Sequence, residues 1–462
     1  MRYLPSRPAA TFGVLVVATT VFALLQAMVI PVLPEIRRAL HTDARSVTWV
    51  VSGYLLSAAI ATPVLGRLGD AVGKKPMLVT ALAMLAAGSL GAAVAPGIGT
   101  MTAARVLQGA GGAVMPLAFG IVRDEFPAER VPSAIGVLAA ISGIGASAGL
   151  VLAGPIVDAL GYRWLFLLPM LMIAVTAVAA VFVVRASAGR AEPISWAPAP
   201  FLAGALATFV LATTEASRWG WASGRTLGLY AVSAVLAAGW LRLESRARHP
   251  LIDLKMMRIP AMLSGNAVSF LLGFAMFAVY AFVPQLLQAP SSTGYGVGAT
   301  VTESGLLMLP LASAVFVGGL VTARLVRRNG SRRVVVSSSV VIAGCLAVVA
   351  WGYAATWQLV TTLGVYGVAL GVALASLATL VVVSAPPSQS AVAGAVNLNA
   401  RNIGGSVGTA VMATVVTARL DASGAPVGSG YTAGFVLLAV AMALATALAV
   451  AIPRPAAQPA GA

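Results

Sequence analysis

The stretch Gly66-Arg67-Leu68-Gly69-Asp70-Ala71-Val72-Gly73-Lys74-Lys75 lies between two long apolar runs. After 257 residues the chain returns to it as Ala323-Arg324-Leu325-Val326-Arg327-Arg328-Asn329-Gly330-Ser331-Arg332, again between two apolar runs. Arg, Leu, Gly and a closing cation match in register. A second echo supports the first, because Gly145-x-x-x-Gly149 returns as Gly404-x-x-x-Gly408, 259 residues on. Two echoes at nearly one offset mean that the chain is built twice. Six apolar runs in each copy, with an inserted pair between the copies, account for both offsets. Repeated halves rocking about a site near the bilayer midplane are a common plan for membrane carriers.

Composition agrees with this plan. Of 462 residues, 59% are hydrophobic and 9% charged, with a mean hydropathy of +0.95; a soluble domain carries about 25% charge. Forty-two charged residues are too few to coat two or three domains, so lipid is the solvent for most of the surface. Runs of about 20 apolar residues, the length that crosses a bilayer, fall near 11–30, 48–68, 76–95, 99–122, 133–157, 163–184, 201–217, 225–243, 262–288, 299–323, 334–353, 357–383, 391–417 and 432–452. The seventh and eighth are short and joined by the polar segment from Glu215 to Arg225, so a twelve-span reading stands beside the fourteen-span one. The expected fold is all-α and integral to the membrane. A six-helix bundle occupies 1–190, an inserted helical hairpin 191–248, and a second six-helix bundle with a short tail 249–462.

Cations set the orientation. With the N-terminus inside, the outer segments hold only Arg37, Arg38, Arg45, Arg163, Arg218, Arg225 and Arg419, while Arg105 and Arg401 fall within spans. The other twenty lysines and arginines lie on the inner side. Such a bias expects both termini in the cytoplasm, in a multi-pass protein of the cell membrane. The net charge of +16 then reads as a fringe facing anionic headgroups, and with no basic patch interleaved with aromatics, nucleic acid is not an expected partner. Cys345 is the single cysteine, which excludes disulfides and cysteine metal clusters; neither a metal nor a cofactor is expected. No small-residue cleavage site closes the first run, which reads as an uncleaved span.

The segment from Gly66 to Lys75 resembles the signature loop between helices 2 and 3 of the major facilitator superfamily, and the resemblance covers nearly the whole chain. Arg105-Val-Leu-Gln108-Gly109-Ala-Gly-Gly112-Ala113 is similar to the helix 4 motif of its proton-coupled antiporters. Fourteen spans with the extra pair between the halves resemble the drug:proton antiporter branch. Two features depart from that branch. Its usual helix 1 aspartate would fall at Leu25, beside Gln26, and the usual helix 5 Gly-Pro-x-x-Gly-Gly pattern is altered, since Gly149 precedes Leu150 and Gly154-Pro155 stands where Gly-Gly would be. The resemblance implies a secondary transporter of small molecules working by alternating access, with protons as the coupled ion.

The residues have their own chemistry. Glycines at 66 and 73 let backbones approach closely, and Asp70 at a helix end can take hydrogen bonds from a helix N-terminus or pair with a cation. With Arg67, Lys74 and Lys75 it forms an expected latch between the halves on the cytoplasmic side. Alternatively, those cations are simple orientation anchors. Arg105 lies inside span 4, where an unpaired charge costs at least about 2.5–3.5 kcal/mol; it is expected near the transport cavity with Gln26 and Gln108, or satisfied by helix-end carbonyls. Asn397 and Arg401, four residues apart in span 13, share a face and make the corresponding C-terminal stripe, with interhelical hydrogen bonding as the alternative. Gly145, Gly149, Gly404 and Gly408 are expected to serve close helix packing. The acids nearest spans are Asp70, Asp158, Glu215 and Glu303, none central; Asp124, Glu125 and Glu303 are the proton-linked candidates.

Two arginines at depth with no acid beside them imply a neutral to positive cavity. The leading expectation is proton-driven efflux of small hydrophobic or amphipathic compounds; substrate-specific metabolite export and proton-coupled uptake are the alternatives. A membrane enzyme is not expected, because no HExxH, Walker A or paired intramembrane acids occur. A monomer is expected.

Overall fold

A computed structural model describes residues 8–29, 32–42, 44–185, 195–248, 250, 252–352, 355–386, 389–418 and 426–452. The expected domain boundaries at 190/191 and 248/249 each include a residue outside these, as do both termini. Among the described residues, fourteen long helices follow one another: α1 (Pro8–Met28), α2 (Ala44–Val72), α3 (Lys74–Ala93), α4 (Ile98–Glu125), α5 (Val131–Leu160), α6 (Trp164–Val183) and α7 (Ala199–Trp219), then α8 (Gly224–Arg246), α9 (Pro260–Gln288), α10 (Val301–Asn329), α11 (Ser331–Trp351), α12 (Thr356–Ser384), α13 (Ser390–Thr417) and α14 (Gly428–Val450). α4 is interrupted by a 3-10 turn over Ala110–Ala113. Short helices, Leu33–Ala39 and Leu254–Met257, lie between long ones.

Twelve of the described helices are long and apolar enough to cross a bilayer, both members of the inserted hairpin among them, and α5 is a thirteenth if its two arms, bent by 44°, count as one span. α13 has the length, at 28 residues. Its Asn397, Asn399, Arg401 and Asn402 break the apolar run in the first half of that length, which is why a count by apolarity stops at thirteen.

The sequence repeat is a repeat of packing. α1 lies on α5 as α9 lies on α13, α2 on α4 as α10 on α12, α3 on α6 as α11 on α14. The two echoing loops also share a backbone: Gly73 (φ 124°, ψ 139°) and Gly330 (φ 78°, ψ 150°) each end one helix and begin the next in a region that side chains avoid. The glycine echoes do equivalent work. A Cβ on Gly145 or Gly149 would lie 2.5 Å from the Thr20 or Leu24 carbonyl of α1, and one on Gly404 or Gly408 would overlap the Phe270 or Phe274 carbonyl of α9. Gly154 and Pro155 lie further along α5, with Pro155 on its exposed side.

Each half has its own apolar core, one centred on α1 to α6 and the other on α9 to α14. The halves meet along two seams: α5 against α10 and α12, and α13 against α2 and α4. α7 packs on both α2 and α13. A third, smaller apolar cluster joins Val64 of α2, Val392 and Ala393 of α13, Ala199 and Leu202 of α7 and Trp240 of α8. α4 is almost wholly buried, whereas α8 is almost wholly on the surface, with large apolar side chains such as Val235 turned outward. That exposure is stable only in lipid.

Candidate functional site: a charged seam and a polar helix

The seam between α2 and α13 is built from the signature loop. Asp70 sits within the last turn of α2 and is only 8% exposed. Its carboxylate accepts hydrogen bonds from the backbone N–H groups of Ala391 (3.4 Å) and Val392 (3.1 Å), in the first turn of α13. An acid there meets unsatisfied donors and the positive end of the helix dipole together. Gly66, one turn earlier, makes the approach possible, because a Cβ at that position would already sit 3.2 Å from the Ala395 side chain and 3.3 Å from the Ala391 carbonyl.

Lys74, the first residue of α3, completes the cluster. Its Nζ donates to both oxygens of Asp124 (2.8 and 2.7 Å) at the end of α4 and lies 3.6 Å from Asp70. The lysine stem crosses Gly120, where a Cβ would come within 2.8 Å of Cε. Arg123 reaches across to donate to the Val382 carbonyl near the end of α12. Arg67 is buried, while Lys75 is partly exposed. Of the other acids, Glu125 accepts from the Arg185 N–H at 3.2 Å. Glu303 is exposed and closes a capping box with Thr300 at the start of α10. Glu244, which sequence reasoning passed over, is buried at the end of α8 and accepts from Trp240 Nε1 and the Ile252 N–H.

Arg105 belongs to a different network. It is 1% exposed; its Nε donates to the Val50 carbonyl of α2 (3.0 Å), its guanidinium donates to Gln108 Oε1 (2.6 Å), and the group lies 4.4 Å from the centre of the Tyr54 ring. Gln108 passes the chain on to Ser89 Oγ of α3 at 2.8 Å. Gln26 is not among these partners and lies partly exposed on α1. The arginine thus ties α2, α3 and α4 into one body, with the Tyr54 face supplying a cation–π contact.

α13 distributes its polar residues to several neighbours. Asn397 donates to Asn266 Oδ1 (3.0 Å) and Ser269 Oγ (2.7 Å) of α9, inside its own half. Asn399 donates to the Ala59 carbonyl of α2 (2.7 Å), across the seam. Arg401 interacts electrostatically with Tyr280 of α9 and keeps its Nε buried without a hydrogen-bond partner. Asn266 and Ser269, three apart in an apolar span, carried a sequence signal that the reading above missed. Tyr54 and Tyr280 carried none, since an aromatic in a span is ordinarily packing. Among the described residues, no group of His, Cys, Asp and Glu could hold a metal ion.

Two repeated six-helix halves that touch along two seams, with charged groups where a helix of one half meets the other, have the architecture of a membrane transporter. The chain belongs to the major facilitator superfamily, whose family model matches residues 15–409. Among curated relatives, the tetracenomycin C resistance and export protein of Streptomyces glaucescens is 29% identical over 90% of this chain and 77% of its own. The methylenomycin A resistance protein of Streptomyces coelicolor is 29% identical over 84% and 81%, and the multidrug transporter protein MdtP of Bacillus subtilis 26% identical over 80% and 69%. Among solved structures, the human organic anion transporter MFSD10 matches with a TM-score of 0.72 at 14% identity, covering 97% of this chain and 100% of that one. The proton:xylose symporter XylE gives 0.68 at 12%, over 97% and 96%; at these identities both matches speak to the fold.

Proposed function

We propose that this multi-pass membrane protein exports small hydrophobic or amphipathic compounds from the cytoplasm by alternating access, driven by proton entry, as a monomer in the cell membrane with both termini inside. Its working units are the halves 1–190 and 249–462, with the hairpin 191–248 inserted between them. The observation that carries the reading is Asp70, an acid of one half that caps the first turn of a helix in the other. Such a contact holds the cytoplasmic end shut, and it must break when the halves rock open toward the cytoplasm. Charged hydrogen bonds of this kind contribute about 1.5–3 kcal/mol, strong enough to bias a two-state equilibrium and weak enough to be reversed on each cycle. Asp70, Lys74 and Asp124 share charge within one cluster, so a proton arriving at either acid weakens the cluster's grip. Export agrees with the names of the relatives, which speak of resistance and export.

The test is transport in inside-out vesicles carrying the full chain. Under an imposed proton gradient, acid inside, a panel of lipophilic dyes and antibiotics should accumulate, and collapse of the gradient should abolish accumulation. Accumulation that persists without a gradient, or that runs only in the opposite direction, contradicts the reading.

A further inference from the structure

The two arginines set within spans differ in one respect. Arg105 directs its Nε–H and a terminal N–H into its own half and faces Tyr54. Arg401 stands eleven residues into α13, about 16 Å along a helix of about 42 Å, near mid-depth. Its side chain is partly exposed, its Nε is shielded without a partner, and among the described residues no ion pair involves it. An uncompensated guanidinium at that depth is an expensive placement, which the rest of the molecule does not explain.

Its surroundings have a defined chemistry. α9 and α13 are in backbone contact there, since a Cβ on Gly273 would overlap the Arg401 carbonyl. The electrostatic neighbour of Arg401 is Tyr280 of α9, and Tyr280 in turn neighbours Tyr366 of α12, whose buried hydroxyl also lacks a partner. Phe277, one turn before Tyr280, lies over Gly405, where a Cβ would meet the ring. A cation with unused donors and an aromatic ring therefore lie where α9 and α13 touch, with the two phenols in electrostatic reach.

We propose that Arg401 is the anchor for the acidic group of an aromatic substrate, a carboxylate or an ionised phenol, with Tyr280 beside the anion and Phe277 against the ring. This rests on the export reading and names its substrate class. The planar guanidinium suits a carboxylate bidentately, and an apolar site gives the pair most of its strength.

Two dyes on one xanthene ring of opposite charge test it: fluorescein, anionic, and rhodamine 123, cationic. Equilibrium binding to the purified full chain is measured by fluorescence polarisation, separately from gradient-driven transport. Wild-type protein should bind fluorescein more tightly than rhodamine 123. Arg401→Gln should weaken fluorescein by at least about tenfold, Arg401→Lys should restore only part of that loss because a point charge replaces the bidentate fork, and Arg401→Glu should reverse the preference. Equal or tighter binding of rhodamine 123 by the wild type overturns the proposal without any variant. So does fluorescein affinity that is the same in the wild type and in a folded Arg401→Gln protein. If Arg401 governs binding but no gradient drives export, the export reading fails while the site stands. If rhodamine 123 is exported without fluorescein being bound, the site fails and export stands.

Discussion

The two copies of the helix-loop-helix motif share a backbone and differ in chemistry. At the α2–α3 junction, Asp70 is buried against the start of α13 and Lys74 is buried beside it. At the α10–α11 junction, the position of Asp70 is taken by Arg327, which is exposed. The reason is electrostatic. An acid is drawn to the positive end of a helix and a guanidinium is repelled by it, so the second copy cannot make the first copy's contact with α5. Its seam closes through small residues instead: a Cβ on Gly136 would lie 3.3 Å from the Gly319 carbonyl, and one on Gly143 would lie 2.6 Å from Val315. One seam is held by charge and the other by shape. Duplication preserved the fold while the two joints specialised.

Four substitutions break or sharpen that contrast. Asp70→Arg, which gives the first joint the second joint's residue, should reduce gradient-driven transport by at least about a hundredfold, since it loses two charged hydrogen bonds and buries a repelled cation. In a Cys345→Ser background carrying Ala395→Cys, the same change should raise labelling by a membrane-impermeant maleimide applied from the cytoplasmic side. Next, Gly319→Val should lower transport about tenfold, because a Cβ at 319 comes within 2.9 Å of Ala140 Cα and overpacking costs about 1–3 kcal/mol; Asp70 would be untouched, so the two joints are separable. Lys74→Met should destabilise the protein by about 1–2 kcal/mol, read as a lower unfolding midpoint in detergent. That is less than the 3–5 kcal/mol of a fully buried pair, because the Asp124 side chain is 32% exposed. The smallest effect belongs to Arg327→Asp, expected within about 0.5 kcal/mol of the wild type as a surface change. A large loss there would mean that the second joint also works through charge.

Much of the architecture was legible in the sequence for a simple reason. In lipid a helix must be about 20 apolar residues long, so spans are visible one by one, and a repeated loop orders them into halves. The site was less legible because its partners are remote. Asp70 was readable as an acid at a helix end, but its donors lie more than 300 residues away, and no local pattern names them. Arg105 shows the same limit: Val50 and Tyr54 approach it from another helix, and neither advertises the contact in its own sequence. α13 was visible as the run near 391–417, but the partners of its polar residues on α2 and α9 were not.

The hairpin between the halves bears on how the molecule can move. α7 lies across α2 and α13, sharing an apolar cluster with both beside the Asp70 contact, and the turn after it donates from Trp221 to Thr414 of α13. A strap laid over a closing edge must slide or bend whenever that edge parts. Under the alternating-access reading, the insertion would therefore resist opening in parallel with the charged joint.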